Sequence, residues 1–405
     1  HTDSCAWNAP FSYPSMRIDA SPMSTLDTRA IHDGEPAPRI EGAVSLPIFQ
    51  TSTYTHEGPD DPVRYVRYSN SPNHEALHTK LASLEGTDDA IVTASGMAAI
   101  STALLSLLNS GDHLVAPQNL YGGTLDFFDD FLPRFDVRHS FLSSDPEQWS
   151  NALTPSTSIL YAESITNPLL QVPDLKAMAD FAETHGLVSV IDSTFASPVN
   201  LRPAELGFDV VLHSGTKYLA GHSDLAAGVV AGPTALVDRI HSTLNLLGGM
   251  LDPHACYLLH RSLKTLGPRV RQQNQTALAI ARALETHEAT RRVLYPGLSS
   301  HADHRRAQTL LDGYGGMVSV ELAENASVDE FFDGLTLPIR APSLGGVETL
   351  ITQPIHTSHK NVDPSVREHL GITERFLRLS VGLESADDLL PDLTSALDES
   401  LPGSS

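Results

Sequence analysis

The chain has 405 residues, 41% of them hydrophobic, and a formal net charge of −23 at pH 7. This length suffices for two or three packed units, and no apolar run approaches the length of a membrane span. The acidic excess argues against nucleic acids and anionic membranes as partners, because both bind basic surfaces. An anionic cofactor would need a locally basic site.

The number of cysteines and the sequence of residues 1–22 indicate the cellular compartment. The two cysteines, Cys5 and Cys256, are too few for a disulfide framework, and no CxxC pair suggests a zinc site. We therefore expect a reducing, cytoplasmic environment. Residues 1–22 lack the basic and apolar regions of a secretion signal, so we expect a leader, a tag or a disordered arm there.

The predicted elements begin after a polar segment. Residues 23–75 carry scattered prolines and little periodicity, which predicts an extended arm that wraps a neighbouring subunit. From residue 76 to about 250, short apolar runs alternate with helical patterns. Strands are predicted at 90–94, 113–116, 137–141, 158–163, 187–191, 210–213 and 226–230, and helices at 75–85, from 96, at 123–131 and at 175–184.

This alternation predicts an α/β fold whose large domain, residues 76–250, contains a mostly parallel sheet covered on both faces. A long helical pattern at 269–292 and shorter mixed elements predict a smaller α/β C-terminal domain over residues 251–405. In an open parallel sheet, ligands bind beyond the carboxyl ends of the strands. Residues that directly follow strands are therefore the candidates for a site.

One lysine has hydroxyl residues and an acid at informative spacings. Lys217 follows Ser214 and Thr216, and Asp192 ends an apolar run 25 residues earlier. These residue types suit pyridoxal 5′-phosphate (PLP): a lysine amine can form a Schiff base with it, hydroxyls can bind its phosphate, and a carboxylate can pair with its ring nitrogen. An ordinary lysine on a polar turn is the alternative, although the chain has only five lysines.

Other residues at strand ends could complete such a site. Gly96 and Met97 begin a helix, and the N–H groups there can bind a phosphate. Tyr121 could stack on a flat ring, with a plain surface turn as the alternative. Asn167 could place an amide on a cofactor oxygen. Arg378 interrupts an apolar run, which predicts either a buried salt bridge or a clamp for a carboxylate.

A metal site is not predicted, although the chain has 19 histidines. His356 and His359 have the spacing of ligands on one helical turn. No third ligand stands at a recognisable interval, and Pro354 disfavours a regular helix.

Taken together, the motifs resemble the Cys/Met-metabolism family of fold-type I PLP enzymes, the trans-sulfuration group. The resemblance extends from about residue 26 to 398. The family contains cystathionine γ-synthases, γ-lyases and β-lyases, methionine γ-lyases and O-acetylhomoserine sulfhydrylases. The motifs that carry it include Tyr65-Val-Arg67, Ser95-Gly-Met97, Tyr121-Gly-Gly-Thr124, Thr166-Asn-Pro168, Ile191-Asp-Ser-Thr-Phe195, Ser214-Gly-Thr-Lys217, Ser343-Leu-Gly-Gly346 and Arg378-Leu-Ser-Val-Gly382.

The resemblance implies a role in cofactor binding for each matching residue. Lys217 would attach PLP and move protons, Asp192 would hold the ring nitrogen, and Tyr121 would stack over the ring. Thr194 is a further cofactor-binding candidate from the Asp192 motif. The phosphate would be bound by Gly96, Met97, Ser214 and Thr216, and by Tyr65 and Arg67 of a neighbouring subunit.

The resemblance also implies the substrate site and the assembly. Asn167 and Arg378 would hold the substrate α-carboxylate with help from Ser343. A site built from two chains implies an obligatory dimer, and the family usually forms homotetramers. The implied reaction is γ-elimination from a γ-substituted L-amino acid such as cystathionine, giving 2-oxobutanoate and ammonia.

Several positions depart from the family patterns and leave the substrate open. Arg64, Asp126 and Pro342 stand where animal-type γ-lyases carry acidic, basic and acidic residues, respectively. Pro342 before Ser343 resembles plant-type γ-synthases, so γ-replacement by a synthase or sulfhydrylase is the main alternative. Asp126 could accept a cationic substrate group outside sulfur metabolism. Gly123 stands where methionine γ-lyases usually carry Cys, which disfavours that activity, and β-lyase activity also remains open.

Two other classes of protein are weaker alternatives. An aminotransferase of the same fold would use the same lysine and aspartate, but the Tyr65 and Tyr121 motifs favour elimination. A non-catalytic binding protein of this fold would have a damaged site, whereas Lys217, Asp192 and Tyr121 are all present.

Overall fold

The structure is a computed structural model that describes residues 24–358, 360 and 364–403, without the side chains of residues 366 and 369. The leader expected at residues 1–22 lies outside these ranges. Within them, no helix is both long enough and apolar enough to cross a membrane.

A seven-stranded sheet forms the framework of the larger unit. Its strands are β1 Asp89–Thr93, β2 His113–Ala116, β3 Arg138–Phe141, β4 Thr157–Glu163, β5 Val188–Asp192, β6 Val210–Ser214 and β7 Gly228–Gly232. They lie in the order β1-β7-β6-β5-β4-β2-β3. Strands β2 to β6 are parallel, which confirms the mostly parallel sheet, and β7 pairs antiparallel with both β1 and β6.

A five-stranded sheet forms the C-terminal unit, and it is antiparallel except between β10 and β11. Its strands are β8 Thr290–Leu294, β9 Met317–Leu322, β10 Ile339–Arg340, β11 Leu350–Thr352 and β12 Phe376–Ser380, in the order β10-β11-β12-β9-β8. The two sheets fall on either side of the boundary predicted near residue 250, and the boundaries themselves remain predictions.

Thirteen α-helices accompany the sheets in the part of the chain that the structure covers. They are α1 Leu26–His32, α2 Pro72–Glu85, α3 Gly96–Leu107, α4 Gly122–Asp126, α5 Leu175–His185, α6 Ser197–Asn200, α7 Thr234–Leu247, α8 Pro253–Leu263, α9 Leu266–Glu285, α10 His304–Leu310, α11 Val328–Gly334, α12 Pro364–His369 and α13 Ala386–Glu399.

Helices pack against both faces of the large sheet, and side chains alternate between the two faces along each strand. In β4, Leu160 and Ala162 pack with residues of α2 and α5 in one hydrophobic cluster. Ile159 and Tyr161 pack with residues of α3 and α7 in another. A strand with two buried faces needs apolar residues at nearly every position, which explains the continuous apolar runs in the sequence.

The prediction of a long helix at 269–292 is wrong at its C-terminal end. Helix α9 ends at Glu285, and Thr290–Leu294 forms β8. Arg292 stands opposite Glu321 in the register with β9, and its Nε donates to Glu321 Oε2 at 2.6 Å. This pairing comes from a distant strand, so it overrides the local helical pattern.

The arm has more local structure than the sequence predicts. It contains α1, and α2 begins at Pro72 rather than at 75. Lys80 Nζ on α2 donates to the carbonyl oxygen of Ala30 at 2.7 Å, and Lys264 Nζ lies 2.5 Å from Glu35 Oε1. These contacts hold residues 26–39 against their own chain.

Candidate active site

The carboxyl ends of neighbouring strands meet at a cavity of about 630 Å³. Glu163 ends β4, Asp192 ends β5 and Ser214 ends β6, and all three line the cavity. Parallel strands bring their carboxyl ends to the same edge of a sheet. The sheet therefore collects residues that are far apart in the sequence.

The cavity brings together most of the predicted site residues. Those expected to bind the cofactor are Gly96, Met97, Tyr121, Asp192, Thr194, Ser214, Thr216 and Lys217, and those expected to bind the substrate are Asn167, Ser343 and Arg378. Four predicted residues are not among its lining residues: Arg64, Tyr65, Arg67 and Asp126. The role of each residue remains a prediction.

Lys217 follows β6, and its amine faces the cavity. Its Nζ donates to Ser343 Oγ at 2.8 Å. Burial, and then the positive charge of Arg378, lowers the pKa of the Lys217 amine to about 8. Ser343 has a φ of +91°, a backbone region that non-glycine residues rarely adopt. The strained turn at Ser343 thus places a hydroxyl within reach of the lysine.

Asp192 is half-buried at the end of β5, between the ends of β4 and β6. Its Oδ1 accepts the Thr194 N–H at 2.9 Å, and Thr194 Oγ1 accepts the Ser214 N–H at 2.8 Å. Burial raises the pKa of the Asp192 carboxyl, while hydrogen bonds from Thr194 oppose that shift. A cation beside Asp192 would stabilise the carboxylate, which is the property required of a partner for a protonated ring nitrogen.

The start of α3 is open to an anion. Ser95 is the N-cap of α3, and its Oγ accepts the Ala98 N–H at 3.1 Å. The N–H groups of Gly96 and Met97 lie in the first turn, where a helix provides no backbone acceptor. A Cβ at Gly96 would lie 2.8 Å from Ser214 Cβ, so only glycine allows this close approach of backbone and serine. The position fits a phosphate bound by backbone N–H groups and the Ser214 hydroxyl.

Arg378 on β12 is a buried cation at the other side of the cavity. Its Nη1 donates to Asn167 Oδ1 at 2.8 Å and its Nη2 donates to the Ser343 carbonyl oxygen at 3.1 Å. Burial lowers the pKa of Arg378 to about 10. Its Nε is buried without a hydrogen-bond partner within the described residues. This spare donor and uncompensated charge suit a carboxylate.

Tyr121 precedes α4, and its side chain is 42% exposed. Its N–H donates to Glu163 Oε1 at 2.6 Å. Sequence reasoning missed Glu163, although this residue ends the predicted strand at 158–163. The rule that singled out Asp192 at a strand end would also have found Glu163.

The four predicted residues outside the cavity have other contacts. Arg67 Nη1 donates to the Asn245 carbonyl oxygen at 2.6 Å, and Tyr65 is 38% exposed. Arg64 Nη2 lies 2.9 Å from Glu75 Oε1. Asp126 is exposed at the end of α4.

The two histidines with the spacing of metal ligands are only partly covered by the structure. Among the residues that it describes, no group of three or more His, Cys, Asp or Glu side chains could hold a metal ion. His356 belongs to a short 3₁₀ turn, Pro354–His356, and His359 lies outside the described residues.

Known proteins resemble the chain over nearly its whole length. The family model described as "Cys/Met metabolism PLP-dependent enzyme" matches residues 27–398. Cystathionine γ-lyase of Bacillus subtilis (strain 168) is 41% identical over 375 residues, which cover 92% of this chain and 98% of that protein. Cystathionine β-lyase of Lactococcus lactis subsp. cremoris is 40% identical over 381 residues, 93% of this chain and 100% of that protein.

A solved structure agrees with these sequence matches. The crystal structure of cystathionine γ-synthase from Xanthomonas oryzae pv. oryzae, in complex with aminoacrylate and cysteine, has a TM-score of 0.89 to this chain. The two chains are 36% identical, and the match covers 93% of this chain and 98% of that one.

Proposed function

Because the chain belongs to the Cys/Met-metabolism family of PLP-dependent enzymes, we propose that it eliminates the γ-substituent of an L-amino acid. The proposed substrate is L-cystathionine or a close relative. With one water, cystathionine would give 2-oxobutanoate, ammonia and cysteine. The relatives include γ-lyases, β-lyases and γ-synthases, so the choice of γ-elimination is our proposal within the trans-sulfuration group.

The residues in the cavity suit binding of an amino acid beside PLP. Bound PLP supplies an electron sink for negative charge that develops at the substrate α-carbon. Arg378 and Asn167 would orient the substrate by its α-carboxylate, because Arg378 has a buried charge and a spare Nε. Asp192 would pair with the ring nitrogen of PLP, and Gly96 and Ser214 would bind its phosphate.

The environment of Lys217 carries the proposal. γ-Elimination removes a proton from Cα and then one from the adjacent Cβ, so a base must reach both carbons. The Lys217 amine is held by the Ser343 hydroxyl rather than by a carboxylate, and its pKa is lowered to about 8. A partly neutral amine with one weak partner can accept a proton and move between neighbouring carbons.

A product assay on the holoenzyme tests this proposal. With L-cystathionine alone, we expect 2-oxobutanoate and cysteine. Pyruvate and homocysteine from the same substrate would instead identify a β-lyase. A Lys217→Ala variant, assayed in parallel, shows whether any product depends on the site.

γ-Replacement is a second candidate, and Pro342 favours it. This residue lines the cavity beside Ser343, where the sequence resembles plant-type γ-synthases. A synthase would join cysteine to an activated homoserine. Cystathionine formed from O-acyl- or O-phosphohomoserine with cysteine, faster than 2-oxobutanoate forms from cystathionine, would support this candidate. Asp126 is not among the lining residues, so the structure offers no observation in favour of a cationic substrate.

We also propose a homotetramer in which Tyr65 and Arg67 reach the PLP phosphate of a neighbouring subunit. Two observations support it: both residues lie outside their own cavity, and Gly96, Met97, Ser214 and Thr216 offer the phosphate no cation. Sedimentation of the holoenzyme, with Arg67→Ala for comparison, tests the assembly and the shared site. The two cysteines support a reducing, cytoplasmic location, which likewise remains a proposal.

A further inference from the structure

Glu163 lines the cavity and has no part in the chemistry proposed above. It is the last residue of β4 and pairs in register with Asp192, the last residue of β5. Paired residues of neighbouring parallel strands project on the same face of a sheet. Two carboxyl groups therefore stand side by side at this edge, and Glu163 is only 5% exposed.

The polar contact of Glu163 joins it to Tyr121. Glu163 Oε1 accepts the Tyr121 N–H at 2.6 Å, across 42 residues of sequence. The Tyr121 ring folds back over Gly123, since a Cβ at Gly123 would lie 2.6 Å from Tyr121 Cε1. The anchored N–H and the missing side chain at Gly123 together determine where the ring stands in the cavity.

Burial and the neighbouring carboxyl group of Asp192 both affect the charge of Glu163. Burial, and then the negative charge of Asp192, raises the pKa of Glu163 well above its usual range. Both effects favour the neutral form of Glu163, and a neutral carboxyl still accepts an N–H through its carbonyl oxygen. The negative charge of the pair can then reside on Asp192, where it meets the ring nitrogen of PLP.

We propose that Glu163 is a positioning residue for the cofactor, which fixes the Tyr121 backbone so that the tyrosine ring lies against the ring of PLP. This inference requires PLP binding, but it does not depend on which substrate bond the enzyme cleaves.

The test measures PLP affinity of apoenzyme variants by absorbance titration, without substrate. Glu163→Gln keeps a neutral acceptor of the same length, so its Kd should stay within about twofold of the wild-type value. Glu163→Ala loses the acceptor, and its Kd should rise about tenfold, the size of one buried hydrogen bond. In a Tyr121→Ala background, Glu163→Ala should have almost no further effect, because the two residues would act as one unit.

Two results would overturn the proposal. If the effects of Glu163→Ala and Tyr121→Ala on Kd simply multiply, Glu163 does not act through Tyr121. If Glu163→Gln binds PLP normally but turns over as slowly as Glu163→Ala, Glu163 transfers protons itself. Thermal unfolding of each apoenzyme separates these effects from loss of the fold. If the wild-type enzyme gives an unexpected product, the proposed reaction fails, but the comparison of Kd values still tests the role of Glu163.

Discussion

Lys217 lies at the cavity and Lys80 lies where the arm contacts α2, and burial lowers the pKa of both amines to about 8. Lys80 donates to the Ala30 carbonyl oxygen and lies 3.9 Å from Glu35 Oε1, so fixed protein groups surround it. Lys217 donates to the hydroxyl of Ser343 and faces the cavity. A lowered pKa thus reveals a buried lysine, whereas its contacts indicate whether it can react.

The largest effect is expected when Lys217 is replaced by alanine. The variant should lose covalent PLP attachment and at least about 10³-fold in kcat, because it lacks the amine that moves protons. Absorbance spectra and product assays measure both losses. Apoenzyme thermal stability should change little, since Lys217 faces a cavity. Retention of kcat within tenfold would contradict the assignment.

Replacement of the nearby Arg378 by lysine should have the next largest effect. Lysine keeps the charge but cannot donate to Asn167, Ser343 and a carboxylate in the same geometry. We expect kcat/KM to fall about 10²-fold, the value of a hydrogen bond to a charged group. PLP affinity should be unchanged. Steady-state kinetics and PLP titration, measured side by side, distinguish a substrate defect from a cofactor defect.

The pH dependence of PLP attachment sharpens the comparison between the two lysines. Only a neutral amine attacks PLP, so capture by the apoenzyme should slow below the Lys217 pKa of about 8. The rate should drop about tenfold per pH unit below that value and level off above it. Stopped-flow absorbance measures the profile. A Lys80→Met variant should keep the same midpoint, and a shift there would show that the two lysines are not independent.

Lys80→Met should affect stability rather than catalysis. The Ala30 carbonyl oxygen and Glu35 each lose a contact, whereas Lys264 and Arg39 continue to pair with Glu35. We expect the free energy of unfolding to fall by about 1–3 kcal/mol, the cost of an unsatisfied buried group. Urea unfolding and kcat measure the two properties. A kcat reduced more than about threefold would show that the arm contact influences the site.

Replacement of Lys176 should have the smallest effect, and this lysine serves as an exposed reference for the two buried ones. It pairs with Asp180 one helical turn away, and both side chains are more than half exposed. Exposed pairs of this type contribute at most about 0.5 kcal/mol. Lys176→Ala should therefore leave urea unfolding and kcat within experimental error, and a larger loss would undermine the comparison between buried and exposed lysines.

The site shows how far sequence reasoning reaches. Gly96, Asp192 and Ser214 each follow a predicted strand, so a parallel sheet predicts their meeting, and the structure places all three at one cavity. Glu163 ends the strand predicted at 158–163, so the same rule applies to it, although the sequence analysis did not name it. The predicted C-terminal end of the helix at 269–292 was wrong, because Arg292 pairs with Glu321 on a strand that is distant in the sequence.

By itself, the sequence predicted the α/β class, the mostly parallel sheet and the candidate PLP-binding residues at the strand ends. Those features follow from local periodicity and from motifs within a few residues of each other. The family resemblance implied that Asn167, Ser343 and Arg378 share a site. Only the tertiary structure decided the direct contacts, Lys217 with Ser343 across 126 residues and Arg378 with Asn167 across 211 residues. Such contacts depend on how the small unit packs against the large sheet, and no local pattern encodes that packing.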